Sequence, residues 1–127
     1  MVRRVFLVDD HHWLLEIQAR VLGMEDDIEV CGMATSAEAA LATLPEAVDV
    51  LVVDLALPGM GGLDLIREVH ARRPGLACVV LSAQPAVEVE AAALDAGAAA
   101  YVEKGDSPSL YAAIRAAVPA PPDPPRP

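Results

Sequence analysis

The polar residues of this sequence that could do chemistry together follow directly after short apolar runs. They are two adjacent aspartates after residues 5–8 (Asp9 and Asp10), an aspartate after residues 50–53 (Asp54), a serine after residues 78–81 (Ser82), and a glutamate and a lysine after residues 99–102 (Glu103 and Lys104). Carboxylate oxygens are hard ligands that suit a small divalent cation. The grouping therefore predicts a metal site if the fold brings the ends of these runs together.

A cluster of carboxylates needs compensating positive charge. Two carboxylates about 4 Å apart repel each other by roughly 4 kcal/mol at an effective dielectric constant of about 20, and a third carboxylate adds to that repulsion. Lys104 can offset one of the charges. The remaining charge favours a hard cation that keeps part of its water, which predicts Mg²⁺ or Mn²⁺.

Two adjacent histidines, His11 and His12, follow the acidic pair. Neighbouring positions point in different directions, and no third ligand of matching softness follows them. We therefore expect the two imidazoles to flank the site and not to form a transition-metal centre.

The apolar runs have strand length, and helix-length segments separate them. A further run at residues 28–31 ends without a chemical group, and residues 50–53 and 78–81 are apolar without alternation, as in strands covered on both faces. This pattern predicts an α/β fold: a flavodoxin-like, doubly wound parallel sheet of five strands in the order 2-1-3-4-5, with five helices in three layers. In such a sheet, ligands bind beyond the carboxyl ends of the strands, which is where the polar residues fall.

Several local patterns predict where the helices begin and end. They are Gly23 and Gly97 as helix ends, residues 35–38 (Thr-Ser-Ala-Glu) as a capping box, Asp106 or Ser107 as the cap of the last helix with Pro108 at its first position, and Leu110, Ile114 and Val118 on one face of that helix.

The chain of 127 residues is long enough for one core, which we expect over residues 1–118. Six prolines from Pro119 onward favour an extended segment, so residues 119–127 are predicted to be a linker or tail. Cys31 and Cys78 fall in strands that are not neighbours in the predicted order, which predicts reduced thiols.

The net charge of −10 and the pI near 4.5 argue against direct binding to nucleic acid or to anionic membranes. No apolar run has the length of a membrane span, and the acidic pair ends the first run too early for a signal peptide. A cytoplasmic protein is the expectation.

Five motifs, taken together and in order, resemble the response-regulator receiver domain of two-component signalling. They are Asp9-Asp10 after the first strand, Asp54 followed by Leu-Ala-Leu-Pro-Gly-Met-Gly-Gly-Leu after the third, Ser82 after the fourth, Lys104 after the fifth, and Tyr101 three residues before Lys104. The resemblance extends over residues 5–118. The Asp-Asp-His opening and residues 104–110 look most like the receivers of LuxR-like (NarL/FixJ-type) transcription factors.

The resemblance implies a role for each matching residue. Asp54 would be the phosphoacceptor, and Lys104 and Ser82 would contact the phosphoryl group. Direct ligands of the Mg²⁺ ion would be Asp10, Asp54 and the backbone carbonyl of Ala56, and Asp9 would reach the ion through water. Ser82 and Tyr101 would form the switch that reports phosphorylation.

The resemblance also implies partners. A sensor histidine kinase would donate the phosphoryl group, a homodimer could form on phosphorylation, and DNA would be reached only through a helix-turn-helix output domain after the linker. Such a domain is not an enzyme acting on a separate substrate, although it catalyses phosphoryl transfer onto its own aspartate and its self-dephosphorylation. The alternative is a receiver fold kept as a docking or dimerisation module that works without phosphorylation.

Some positions depart from the family's pattern. Gly61 stands where aspartate is frequent, which predicts a looser loop after Asp54, and Gly105 stands where proline commonly follows the lysine. A phosphatase of the haloacid-dehalogenase type is disfavoured because it needs a carboxylate two positions after its nucleophile, and Ala56 occupies that position. The absence of a Gly-x-Gly-x-x-Gly segment argues against a dinucleotide enzyme.

Overall fold

The computed structural model describes residues 1–119, in which five strands alternate with five helices. The elements are β1 (Arg3–Val8), α1 (His12–Gly23), β2 (Ile28–Ala34), α2 (Ala37–Thr43), β3 (Val50–Asp54), α3 (Gly62–Arg72), β4 (Ala77–Ser82), α4 (Ala86–Ala96), β5 (Ala100–Glu103) and α5 (Ser107–Ala116). Each strand lies on one of the apolar runs, so the predicted alternation is confirmed.

The strands form one sheet in the order β2-β1-β3-β4-β5, and every pairing in it is parallel. The predicted topology is therefore confirmed. Central β3 is buried along its whole length, because helices cover both faces of the sheet. Cys31 in β2 and Cys78 in β4 are free thiols, and burial raises the pKa of the Cys78 thiol to about 12.

Alternate residues of each strand feed two separate cores. Phe6 and Val8 of β1 point to the core beneath α2, α3 and α4, where Leu65 and Ile66 of α3 also pack. The intervening residue Leu7 belongs to the other core, which α1 and α5 cover. The two cores give the three predicted layers, and because every pairing is parallel the carboxyl ends of the strands lie at one edge of the sheet.

Two of the predicted helix boundaries are wrong. Gly23 does not cap α1, because the helix includes it and Met24 takes the cap position with right-handed backbone angles. The capping box starting at Thr35 does not form either. Ser36 is the cap of α2, and its hydroxyl accepts the Ala39 N–H at 3.1 Å, while Glu38 reaches away to the Met60 N–H at 3.4 Å.

The later boundaries agree better with the structure. Gly97 ends α4 with a left-handed φ of 113°, as glycine permits. Asp106 caps α5 by accepting the Ser109 N–H, and Pro108 is the second residue of the helix, not its first. Val118 lies beyond α5 and is exposed, so it does not extend the apolar face of Leu110 and Ile114.

The predicted linker at 119–127 lies outside the described residues except for Pro119. Among residues 1–119, no helix combines the length and the apolar character that crossing a membrane requires.

Candidate functional site

The carboxyl ends of β1 and β3 bring the aspartates together. These strands are paired in register up to Val8 and Val53, so the next residues along each, Asp9 and Asp54, lie side by side. Both are almost fully buried, with relative exposures of 2% and 3%. The sequence predicted these two acids at one edge of the sheet, and in the structure they lie next to each other there.

Lys104 lies between the two buried carboxylates. Its Nζ donates to Asp54 Oδ2 at 3.0 Å and to Asp9 Oδ2 at 3.2 Å. The lysine follows β5, two strands away from β3 in the sheet, and its side chain spans that distance to reach the acids. The predicted compensation of the acidic cluster by one ammonium is therefore present in the structure.

The contacts in this cluster shift the pKa values of Lys104 and Asp9. Burial alone would lower the pKa of Lys104, but the hydrogen bonds and charges of Asp54 and then Asp9 outweigh it and raise that pKa above its usual value. Burial alone would raise the pKa of Asp9, but the His11 backbone N–H and Lys104 lower it below its usual value. Both groups therefore stay charged across the neutral range.

Asp10 and His11 lie on the other side of the cluster. Single ligand atoms of Asp9, Asp10, His11 and Asp54 all lie within 4.8 Å of one another. A set of three mutually repelling carboxylates at this spacing is chemically suited to a hard divalent cation. Of the two histidines predicted to flank the site, His11 has its ring beside these carboxylates, whereas His12 pairs with Glu16 on α1.

The loop after Asp54 is held tightly at its start and at its end. Asp54 Oδ1 accepts the Ala56 N–H at 3.1 Å, which places Ala56 beside the acids. At the end of the loop, a Cβ on Gly62 would lie 2.6 Å from the Asp54 carbonyl oxygen and 2.7 Å from Leu55 Cα. Only glycine fits at residue 62, a requirement that the sequence did not signal, whereas Gly61 has open space around it.

Ser82 and Tyr101 meet at the loop between β4 and α4. Ser82 is buried at the end of β4, and its hydroxyl oxygen accepts the Gln84 N–H at 3.0 Å. The half-buried Tyr101 donates from its hydroxyl to the Gln84 carbonyl. Ser82 and Gln84 line the same open cleft as Asp54 and Lys104, and Gln84 contacts both Ser82 and Tyr101.

The comparisons with known proteins agree with this geometry. The family model of the response regulator receiver domain matches residues 5–115, and the chain therefore belongs to that family of two-component signalling domains. It is 38% identical over 102 residues to the DNA-binding transcriptional activator DevR/DosR of Mycobacterium tuberculosis, in a match that covers 80% of this chain and 47% of that protein. The family predicted from the five motifs is thus confirmed.

Other relatives are also transcription regulators by name. The chain is 36% identical over 112 residues to the transcriptional regulatory protein UhpA of Salmonella typhimurium, covering 87% of this chain and 56% of UhpA. It thus spans about half the length of the curated relatives that it matches.

Solved structures confirm the fold. A LuxR-family two-component response regulator from Aurantimonas superposes with a TM-score of 0.84 at 30% identity, over 91% of this chain and 84% of that chain. The isolated receiver (REC) domain of RcsB from Salmonella enterica, with the phosphomimetic BeF3⁻, gives a TM-score of 0.79 at 27% identity, over 91% and 89% of the two chains.

Proposed function

We propose that Asp54 accepts a phosphoryl group from a sensor histidine kinase and that this modification switches the output of a transcription-regulating response regulator. The observation that carries the proposal is the position of Asp54, buried at the strand edge with Oδ2 on Lys104 and two further aspartates beside it. A carboxylate that a lysine ammonium holds in place by a hydrogen bond is a nucleophile with a fixed position.

In the transfer, an oxygen of Asp54 attacks the phosphorus of the phosphohistidine. The phosphorus–nitrogen bond breaks, the nitrogen takes up a proton, and an aspartyl phosphate remains. Lys104 compensates the charge on the phosphoryl oxygens, so catalysis consists of positioning and electrostatic stabilisation.

The residues that would hold Mg²⁺, or Mn²⁺, are Asp10, Asp54 and the Ala56 carbonyl directly, with Asp9 through water. Their oxygens fit a hard cation, and the cation would supply further positive charge for the phosphoryl oxygens.

The aspartyl phosphate would draw the hydroxyl of Ser82 to its oxygens. Movement of Ser82 toward the phosphate would stretch the hydrogen bond that its oxygen accepts from the Gln84 N–H, and would loosen the loop that Tyr101 holds. The face formed by α4, β5 and α5 would then shift between two states, and a homodimer on phosphorylation is one consequence of such a shift.

In this proposal, residues 1–118 form the receiver domain and residues 119–127 connect it to an output domain that binds DNA. The DNA-binding activator named among the relatives is about twice as long as the matched segment, which supports this arrangement. The charge of −10 supports the view that the receiver itself does not contact DNA. The proposed location of the protein is the cytoplasm, where the partner kinase would phosphorylate Asp54.

Intact-mass spectrometry with acetyl phosphate as phosphoryl donor tests the proposal. We expect one added phosphoryl group in the presence of MgCl₂, none in EDTA, and none for Asp54→Asn under either condition. Asp64→Asn is the matched control, because Asp64 lies in the first turn of α3 and pairs with Arg67. A wild-type chain that gains no phosphoryl group with MgCl₂ would favour the docking-module alternative.

A further inference from the structure

The C-terminal end of α5 is bound by an arginine from the first strand. The last turn of a helix leaves backbone carbonyl groups that no later helical N–H can bond. Arg3 takes two such groups: its Nη1 donates to the Ala117 carbonyl at 2.9 Å and its Nη2 donates to the Arg115 carbonyl at 3.2 Å. The planar guanidinium, with its fork of donors, suits this two-point contact. The end of α5 is therefore attached to the start of β1.

The side chain of Arg115 attaches the same end of α5 to the loop between α1 and β2. Its Nε and Nη2 donate to the two carboxylate oxygens of Asp27 at 2.8 and 3.0 Å, and its Nη2 also donates to Glu25 Oε1 at 2.7 Å. The guanidinium lies over the ring of Tyr111, 5.8 Å from its centre. A two-point contact shared with a second carboxylate holds an arginine more firmly than a single exposed ion pair does.

We call Arg3, Arg115, Glu25 and Asp27 the α5 clamp. The clamp lies at the edge of the sheet where the strands begin, because Arg3 is the first residue of β1. The acidic cluster lies at the opposite edge, beyond the six residues of that strand, which are about 20 Å long. The clamp is therefore remote from the proposed phosphorylation site.

The chain leaves the domain directly after the clamped residues. Ala117 is buried and has extended backbone angles, so α5 ends there. The next residue, Val118, is 65% exposed. The clamp thus acts on the point at which the proposed linker begins.

The other end of α5 is joined to the acidic site by a residue with conformational freedom. Gly105, between Lys104 and the helix cap Asp106, has a positive φ of 94°, and a Cβ built on it would meet nothing within 4 Å. Glycine adopts left-handed and right-handed conformations about equally readily. The start of α5 can therefore adjust when Lys104 moves, while its end stays attached to β1 and to the loop after α1.

We propose that the α5 clamp holds the exit of the chain in one position in both states of the receiver, so that the phosphorylation signal leaves through the surface around α4 and not through a movement of the linker. The inference rests on the proposed function, which supplies the two states and the output domain. Ser82 and Gln84, which line the cleft of Asp54, lead directly into α4, and α4 contributes no residue to the clamp. The switching elements and the anchored exit are thus at separate places in the fold.

Pulsed electron paramagnetic resonance of the whole chain with two nitroxide labels tests the inference. The labels are placed on Val118→Cys, at the exit, and on Arg72→Cys, at the exposed end of α3, in a Cys31→Ser background. Cys78 is retained, because it is buried with a pKa of about 12 and does not react with the label. The background protein should give one narrow distance that stays the same when MgCl₂ and BeF₃⁻, a mimic of the phosphoryl group, are added.

Variants of the clamp should release the exit. We expect Arg3→Gln and Arg115→Gln each to lose the single narrow distance and to give a broad distribution. The double variant Glu25→Gln with Asp27→Asn removes the charged partners of Arg115 without changing α5 itself, and it should broaden the distribution in the same way as Arg115→Gln.

The neighbouring arginine of β1 provides a matched control. Arg4 Nε donates to the Ala47 carbonyl at 2.6 Å, and its Nη1 pairs with Glu29 at 3.1 Å, so it binds at the same edge of the sheet without contacting α5. Arg4→Gln should therefore keep the narrow distance of the background protein.

A distance between residues 72 and 118 that changes with BeF₃⁻ in the background protein would overturn the inference. Clamp variants with a distribution as narrow as the background, or an Arg4→Gln variant as broad as Arg3→Gln, would also overturn it.

Labels on Leu94→Cys of α4 and Arg72→Cys test the proposed switch separately, since their distance should change with BeF₃⁻. If it stays constant while the clamp variants broaden the distribution for residues 72 and 118, the proposed switch falls and the clamp stands as the anchor of the exit. If both distances change with BeF₃⁻, the switch stands and the inference falls.

Discussion

Lys104 Nζ lies 3.0 Å from Asp54 Oδ2, although the two residues are 50 positions apart in the chain. The contact exists because β3, β4 and β5 are consecutive in the sheet and end at one edge. The same ammonium serves Asp9, so one positive charge compensates two buried negative ones. A substitution at Lys104 therefore alters a contact of both Asp9 and Asp54.

Removing this ammonium should destabilise the metal-free protein. Lys104→Met leaves Asp9 and Asp54 buried and mutually repelling, and we expect a loss of about 1–2 kcal/mol in the free energy of unfolding, moderated by the partial exposure of Lys104. Urea unfolding in EDTA measures the loss, and MgCl₂ should restore part of it. Lys104→Arg, which keeps the charge, is the control; equal stability of the methionine variant and wild type would refute this account of the cluster.

The pH dependence of stability should show the lowered pKa of Asp9. A carboxyl whose pKa is lower in the folded state contributes stability above its unfolded pKa of about 3.9, and that stability is lost as the pH falls through the lower folded value. For Lys104 the sign is opposite, because its raised pKa confines the loss to alkaline pH.

Thermal unfolding in metal-free buffer between about pH 2 and pH 7 measures how stability falls as the pH is lowered. Wild type should lose stability more steeply below about pH 4 than Asp9→Asn does, since the amide has no proton to gain. If stability fell equally steeply with pH in the two proteins, Asp9 would not be the group that causes the loss of stability in acid.

Cap substitutions at α2 should separate the observed cap from the predicted one. Ser36→Ala removes the acceptor of the Ala39 N–H and should cost about 1 kcal/mol. Thr35→Ala, the position that the capping-box pattern favoured, should change stability by less than about 0.5 kcal/mol. Urea midpoints of the two variants check this, and a larger effect at Thr35 would place the helix start one residue earlier.

Adjacent glycines in the loop after Asp54 should respond in opposite ways to the same substitution. Gly62→Ser forces a Cβ against the Asp54 carbonyl and Leu55, and should cost about 1–3 kcal/mol and weaken Mg²⁺ binding. Gly61→Ser meets nothing within 4 Å and gives α3 a side-chain cap, so its stability should equal or exceed that of wild type. Calorimetric Mg²⁺ titration measures metal binding, and urea unfolding measures stability. If the two variants behaved alike, the close contact of residue 62 with Asp54 and Leu55 would be contradicted.

The sequence predicted the features that depend on chain-wide patterns. Apolar runs without alternation indicated the central strands, and the residues that follow the apolar runs indicated Asp9, Asp54 and Lys104 as neighbours. These inferences succeed because a parallel sheet collects all its strand ends at one edge.

Features that depend on a single tertiary contact were missed. Nothing in the sequence distinguishes Gly62 from Gly61, because the clash at residue 62 arises from how the returning loop packs on Asp54. Glu38 fits a capping box, yet its carboxylate is used by the Met60 N–H of another loop. The orientation of His11 depends on the turn after β1, in which its own N–H donates to Asp9, and spacing alone does not reveal that turn.

Chemical mapping of the modified carboxyl tests the central claim most directly. Wild type treated with acetyl phosphate and MgCl₂ is reduced with borohydride, which converts an aspartyl phosphate to homoserine, and the digested peptides are sequenced by mass spectrometry. The account predicts homoserine at position 54 in wild type. In the Lys104→Met variant, treated in the same way, it predicts no homoserine at that position. Homoserine at Asp9, Asp10 or another aspartate, with residue 54 unmodified, would contradict it.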